Sequence, residues 1–270
     1  MPRITSTHNP RVRAALDLTK ARERDRRGAF GVEGVREIAR ALAAGLVPTE
    51  AFWLPPERRS PDADRVVDEL AGRPAVTGHE VSPAVFDRLV VRSGSDGVYV
   101  VFARPSAPSL DDLGLPPTPL LVAVEGVEKP GNLGALLRVC DGAGVHAAVV
   151  LDDAVDPFNP NVIRASLGTV FAVPVVTVTS DRFRSWCHRH GVAVHAAALA
   201  DRAVSYCDVD YTGPTVLLLG SEARGLSRAW LEHADTLVRI PMRGVADSLN
   251  VATAGAVLVY EAVRQRGGAG

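Results

Sequence analysis

Three short stretches, far apart in the chain, hold polar residues at spacings that could assemble one site. They are Asn132-Leu-Gly-Ala-Leu-Leu-Arg138, Leu219-Gly-Ser-Glu-Ala-Arg-Gly225 and Ile240-Pro-Met-Arg-Gly-Val-Ala-Asp-Ser-Leu-Asn250. Each stands where an apolar, strand-like run gives way to a turn or a helix start, and open α/β sheets bind ligands beyond the carboxyl ends of their strands. Amides, a carboxylate, a hydroxyl and a guanidinium together can orient a substrate and stabilise developing negative charge. Each residue also has a purely structural reading. Asn132 sits where a helix N-cap is expected. Arg138 lies beside the apolar stripe of Leu133, Leu136, Leu137 and Cys140 and could pair with Asp141. Glu222 could favour the helix that follows through its dipole. Ser248 reads as the N-cap of the last helix, which puts Asn250 inside the first turn. Asparagine is a poor helix former there, so its presence points to another task. Gly220 and Gly225 permit a tight turn and close approach of a ligand.

Other chemistries fit less well. No G-x-G-x-x-G follows the first strand of the second half, and neither a P-loop nor a G-x-S-x-G elbow occurs. Cys187-His188-Arg-His190 lacks the paired ligand spacing of a zinc site and reads as the solvated end of a polar helix, so no metal is expected.

The elements that must position these residues fall into two groups. Five prolines in residues 105–119 cannot continue a helix or a central strand, which predicts an extended linker over 105–118 between a domain at 1–104 and one at 119–270. In the first domain Asn9-Pro10 opens a helix. A strand at Phe30 precedes a helix from Arg36 to Ala44, Ala51 to Leu54 is a strand, 61–71 a charged helix and Tyr99 to Phe102 a final strand. In the second, strands at 120–125, 147–151, 173–178, 192–198, 215–219 and 236–240 alternate with helices at 132–142, 159–167, 181–190, 227–233 and 249–265. Unbroken Val/Leu/Ala strands separated by helices predict an α/β fold with a parallel sheet. The Gly267-Gly-Ala-Gly tail should fray.

The composition of the 270 residues, 47% of them hydrophobic, is that of an ordinary globular protein. No apolar run reaches membrane-spanning length, the first residues lack a signal-peptide core, and three cysteines without CxxC spacing suit a reducing compartment. A cytoplasmic protein is expected. The net charge is −1, yet residues 1–40 carry ten Lys/Arg against five Asp/Glu, whereas residues 105–270 carry thirteen against seventeen. A basic arm suits phosphate contact. A helix face with internal ion pairs among Arg22, Glu23, Arg24 and Asp25 explains it equally well.

The motifs N-x-G-x-x-x-R, G-S-E-x-x-G and I-P-M…S-L-N, in that order, resemble those of the SpoU/TrmH family (SPOUT superfamily) of RNA ribose 2′-O-methyltransferases. The resemblance implies S-adenosylmethionine as cofactor, bound by the backbone around Gly220, Ile240 and Leu249, with Met242, Ala198 and Leu199 in the same cleft. It implies that Arg138 faces the reacting ribose, with Asn132, Glu222, Ser248 and Asn250 shaping the site. It further implies a C-terminal trefoil-knot domain with the last helix tucked through a loop, against the general expectation for chains, and a homodimer. Asn9-Pro-Arg-Val-Arg, Phe30-Gly-Val-Glu-Gly-Val-Arg-Glu and Gly97-Val-Tyr-Val-Val resemble an L30e-like α/β substrate-binding domain fused to many such enzymes. Members with this extension often act on ribosomal RNA, and some antibiotic-resistance enzymes that modify 23S ribosomal RNA share the plan. Transfer RNA as substrate, and a non-catalytic RNA-binding or ribosome-assembly protein of the same fold, are the alternatives.

Overall fold

The local signals at helix starts act as the sequence predicts. The side chain of Asn9 accepts from Arg11 N at 2.9 Å and opens α1 (Pro10–Asp17), and Ser60 caps α4 (Pro61–Ala71) through Ala63 N. The computed structural model describes residues 3–91, 96–152 and 155–267, so Gly268–Gly270 of the expected frayed tail lie outside the described residues.

The chain divides into two units. The first holds the described residues up to Ser106 together with Phe158–Ala172. Its sheet runs β1 (Ala29–Glu33), β4 (Val98–Ala103), β2 (Pro48–Trp53), β3 (Thr77–Glu80), with β4 antiparallel to both neighbours and β2 parallel to β3. Helices α2 (Ala21–Arg27), α3 (Val35–Ala43) and α5 (Pro83–Leu89) complete it. Val12, Ala15 and Leu18 of the α1 region pack with Phe52, Val85, Phe86 and Tyr99 in one core. Phe30 meets Phe158 and Phe171 at 4.6 and 5.9 Å between ring centroids, and Arg40 donates to Leu167 O at 2.7 Å. These contacts hold Phe158–Ala172, including α7 (Pro160–Ala165), in the first unit, although the strands that precede and follow it belong to the second.

The basic arm is partly neutralised. Glu23 binds Arg26 and Arg27, whose guanidiniums hold its carboxyl down at about 2. Arg24 is buried and donates to the carbonyls of Leu18 and Thr19, which corrects its reading as a solvated residue. Arg13, Arg22 and Arg36 are exposed and have no ion pair among the described residues.

The second unit holds a seven-stranded sheet, β7 (Val175–Val178), β6 (Ala147–Leu151), β5 (Leu120–Glu125), β10 (Thr215–Leu219), β8 (Ala193–Ala197), β11 (Thr236–Arg239) and β9 (Val204–Ser205), with every pairing parallel. Its helices are α6 (Pro130–Gly142), α8 (Ser180–His190), α9 (Arg228–His233) and α10 (Val251–Gln265). The proline-rich segment is more than a connector. Leu110 is buried in this unit's core, and Asp111 accepts from Trp186 Nε1 at 3.0 Å.

After β11 the chain returns to lay α10 closely against α6. A Cβ at Gly255 would stand 2.5 Å from Leu136 Cδ1. The far end of α10 is clasped by the β9–β10 connection. Gln265 donates to Val209 O and accepts from Tyr211 N, both at 2.9 Å, and Arg266 donates to the carbonyls of Tyr211, Gly213 and Thr118.

Candidate active site

Two of the expected caps are reassigned. α6 begins at Pro130 with Lys129 at its cap, so Asn132 lies inside the first turn and is not the N-cap. At the last helix the cap is Asn250 rather than Ser248. Its Oδ1 accepts from Ala252 N at 3.0 Å, and helix begins at Val251. Asparagine is a favoured residue there, so its cost inside a helix is not what singles it out. What does is the second half of the amide. With Oδ1 committed to the cap, Nδ2 must point the other way, and it donates to Asn132 Oδ1 at 3.1 Å and Glu222 Oε1 at 2.5 Å.

Glu222 stands just past β10, in a turn closed by the Ser221–Gly225 pair. Its other oxygen accepts from Lys129 Nζ at 3.1 Å. The Lys129 ammonium holds the carboxyl below its ordinary value, with the amides of Asn132 and Asn250 adding to the effect, so the group is an anion at neutral pH. Residues from three distant motifs thus converge on one carboxylate, and Lys129 joins them although the sequence reading passed over it. The turn that carries Glu222 requires glycine at position 220. A Cβ there would lie 2.3 Å from the Gly225 carbonyl carbon.

Two cavities meet at this network. The larger, about 430 Å³, opens where β8, β10 and β11 end, and Ala198, Leu199, Gly220, Ile240, Met242 and Leu249 all line it, as does Ser248. The smaller, about 190 Å³, is lined by Lys129, Asn132 and Glu222 among others. Glu222, Ser221, Ala223 and Val251 border both. Arg138 lines neither. It is exposed on α6, about one and two-thirds turns beyond Asn132 and on a different face, without the suggested bond to Asp141.

The remaining chemical residues are placed elsewhere. Burial pushes the thiols of Cys140 and Cys187 up to about 12, so neither supplies a thiolate at neutral pH. His190 stacks on Trp186 and bonds its carbonyl oxygen. Among the described residues no group of three or more His, Cys, Asp and Glu side chains could hold a metal ion.

The SpoU rRNA Methylase family matches residues 119–260, and the MRM3-like substrate binding domain matches residues 9–99. The chain is 32% identical to a 23S rRNA (uridine(2479)-2'-O)-methyltransferase of Streptomyces viridochromogenes, covering 98% of this chain and 92% of that protein. It is 33% identical to the 23S rRNA (guanosine-2'-O-)-methyltransferase RlmB of Pseudomonas aeruginosa, covering 87% and 96%. The AdoMet-bound rRNA methyltransferase from Sinorhizobium meliloti superposes with a TM-score of 0.88 at 32% identity, over 97% of each chain.

Proposed function

The chain belongs to the SpoU rRNA methylase family, and from that premise we propose that it is an S-adenosylmethionine-dependent RNA ribose 2′-O-methyltransferase acting on 23S ribosomal RNA. The observation that carries this reading is the network of Asn132, Glu222 and Asn250 at the junction of two cavities. The larger cavity suits the cofactor. Its volume lies within the usual range for small-molecule sites, its wall of Ala198, Leu199, Ile240, Met242 and Leu249 is apolar, and loop backbone at strand ends supplies directional polar groups. Bound there, S-adenosylmethionine supplies a methyl group activated by a sulfonium.

The chain's own residues do the rest. Asn132 and Glu222, on the wall of the smaller cavity, orient the ribose hydroxyl. Ser248 stands on the cofactor side and holds the polar tail. Asn250 links the two sides, since one amide caps α10 and aims at both neighbours. A weakly acidic hydroxyl becomes reactive when aligned and when its developing negative charge is stabilised. Arg138 is assigned that stabilisation, because a guanidinium keeps its proton at any ordinary pH and is a poor base. It stands outside both cavities of a single chain, and the homodimer brings it into use. Gly142, one turn along α6 from Arg138, lies against the exposed Tyr260 of α10, and a second copy packs on this α6/α10 face.

The division of labour gives residues 1–104, with Phe158–Ala172 packed among them, the RNA, and the rest of 119–270, with 105–118 built partly into its core, the cofactor and dimer contact. Arg13, Arg22 and Arg36, exposed and unpaired, are the phosphate contacts of the first part. A ribosomal RNA substrate fits the cytoplasmic location expected from the sequence; among the described residues no helix is long and apolar enough to cross a membrane. One relative is named for uridine and the other for guanosine, so the target base is set by the RNA contacts rather than by the fold. Calorimetry should show one cofactor site per subunit, and methyl transfer to ribosomal RNA fragments should map to a single ribose. An intact protein that binds no cofactor would overturn the reading.

A further inference from the structure

We propose that Lys129 is a positioning residue of this site, the cation that locks the Glu222 carboxylate in the orientation that aims Asn250 and Asn132 at the reacting ribose. The inference deepens the methyltransferase reading and rests on it. Lys129 supplies the carbonyl at the start of α6, and its side chain makes no cap of its own. It crosses instead to Glu222 Oε2 at 3.1 Å, leaving Oε1 to Asn250. The two oxygens of one carboxylate thus serve a cation on one side and an amide on the other. Without the ammonium the carboxylate can rotate, and Asn250 loses the acceptor that sets its Nδ2.

The choice of lysine is informative in this chain, where 28 of 30 basic residues are arginine, the exceptions being Lys20 and Lys129. An arginine at 129 would present a planar fork that engages both carboxylate oxygens and competes with Asn250 for Oε1. A lysine offers a compact charge that takes one oxygen. Among the described residues Lys129 is also the sole lysine or arginine lining the smaller cavity. The other charged groups around the two cavities are Glu128, paired with Arg224 at 3.2 Å, and Arg239 and Asp247 of the larger one. None of these is bonded to Glu222 among the described residues.

The test uses full-length protein, single-turnover methyl transfer and carbon NMR of carboxyl-labelled glutamate. Lys129→Met should leave cofactor affinity unchanged and slow transfer roughly two- to fivefold, the scale of an ion pair whose lysine is 75% exposed. In the same variant the Glu222 titration should move up toward its ordinary value, which reports loss of the ammonium beside it, while unchanged cofactor affinity with slowed transfer is the split that a merely structural lysine would not produce. Lys129→Arg should remain slow despite its charge. Lys129→Cys alkylated with bromoethylamine, which rebuilds an amine at lysine length, should recover most of the rate, with alkylated wild type as the control for the exposed Cys207. An active wild type whose Met variant keeps the full rate, or whose Glu222 titration does not move, overturns the role of Lys129 alone. A wild type that binds cofactor but methylates no ribosomal RNA overturns the reading above and this role with it.

Discussion

Asn250 performs two tasks with one amide, and substitutions can separate them. Asn250→Ser keeps an N-cap acceptor and removes the Nδ2 donor that reaches Asn132 and Glu222. Stability should change by only a few tenths of a kcal/mol, because serine and asparagine cap about equally well, while single-turnover methylation falls sharply. Asn250→Ala loses the cap as well and should cost a further ~1 kcal/mol in urea unfolding. Equal activity of the Ser variant and wild type would show that the amide serves only the helix. At Arg138 the contrast is between charge and proton transfer. Arg138→Ala should leave cofactor affinity intact and slow transfer about a hundredfold, the scale of losing one oxyanion donor. Arg138→Lys should retain partial activity with an unshifted pH profile. A Lys variant as fast as wild type but displaced to lower pH would mark residue 138 as the base. That Asn132, Glu222 and Asn250 would come together was legible at this scale, because their motifs follow β5, β10 and β11 of one parallel sheet. Lys129 was not, since its partner is 93 positions away and its one local sign is the rarity of lysine.

Among the elements, the turn after β10 is constrained by backbone. Its glycine is required by space rather than by conformation, because a Cβ at 220 would meet the Gly225 carbonyl carbon at 2.3 Å and Leu226 N at 2.5 Å. Backbone atoms cannot move aside as a flexible side chain can. Gly220→Ala should destabilise the protein by roughly 1–3 kcal/mol, the range for overpacking, and weaken cofactor binding, as thermal shift with and without S-adenosylmethionine would show. An unchanged melting temperature in both states would refute the constraint. Six of the seven strands of the second unit were readable because each carries a mainly apolar run, and periodicity placed its helices within a few residues. The elements missed lack such patterns. α2 is almost wholly charged and is anchored by the buried Arg24, β3 (Thr-Gly-His-Glu) has no apolar alternation, and β9 is two residues long. α5 did announce itself, by Ser82 followed by Pro83 at the first helical position, the same signal that was read correctly at Asn9-Pro10.

At the scale of the whole molecule, stability should depend on a buried histidine and on a segment that belongs to the unit other than the one its neighbours in sequence build. His195, in β8, is buried with Nδ1 unpartnered among the described residues, beside the similarly unpartnered hydroxyl of Tyr211. Burial lowers its pKa from 6.5, against the opposing pull of Asp235 and Asp210. The unfolded chain therefore binds this proton first, and stability is lost as pH falls below about 6.5, by at most ~1.4 kcal/mol per pH unit for one proton. Urea unfolding from pH 7.5 to 5 should show a shallower slope in His195→Gln than in wild type, and equal slopes would dismiss the effect. The segment Phe158–Ala172 was expected to lie within a catalytic domain at 119–270. It packs instead in the first unit, where Phe158 and Phe171 flank Phe30 and Leu167 O takes the Arg40 guanidinium. Sequence order concealed this, because helical spacing at 159–167 shows that a face is buried but not against which partner. A fragment beginning at Ala107 would keep that apolar face, including Val162, Ile163 and Val170, all buried in the intact chain, and lose what covers it. Exposing these side chains should make the fragment aggregate or bind a hydrophobic dye, whereas replacing residues 158–172 with a short Gly/Ser linker should restore solubility. If the unmodified fragment were monodisperse, dye-silent and as heat-resistant as the linker version, the segment would be folding with the seven-stranded sheet, and the boundary would return to the proline-rich stretch.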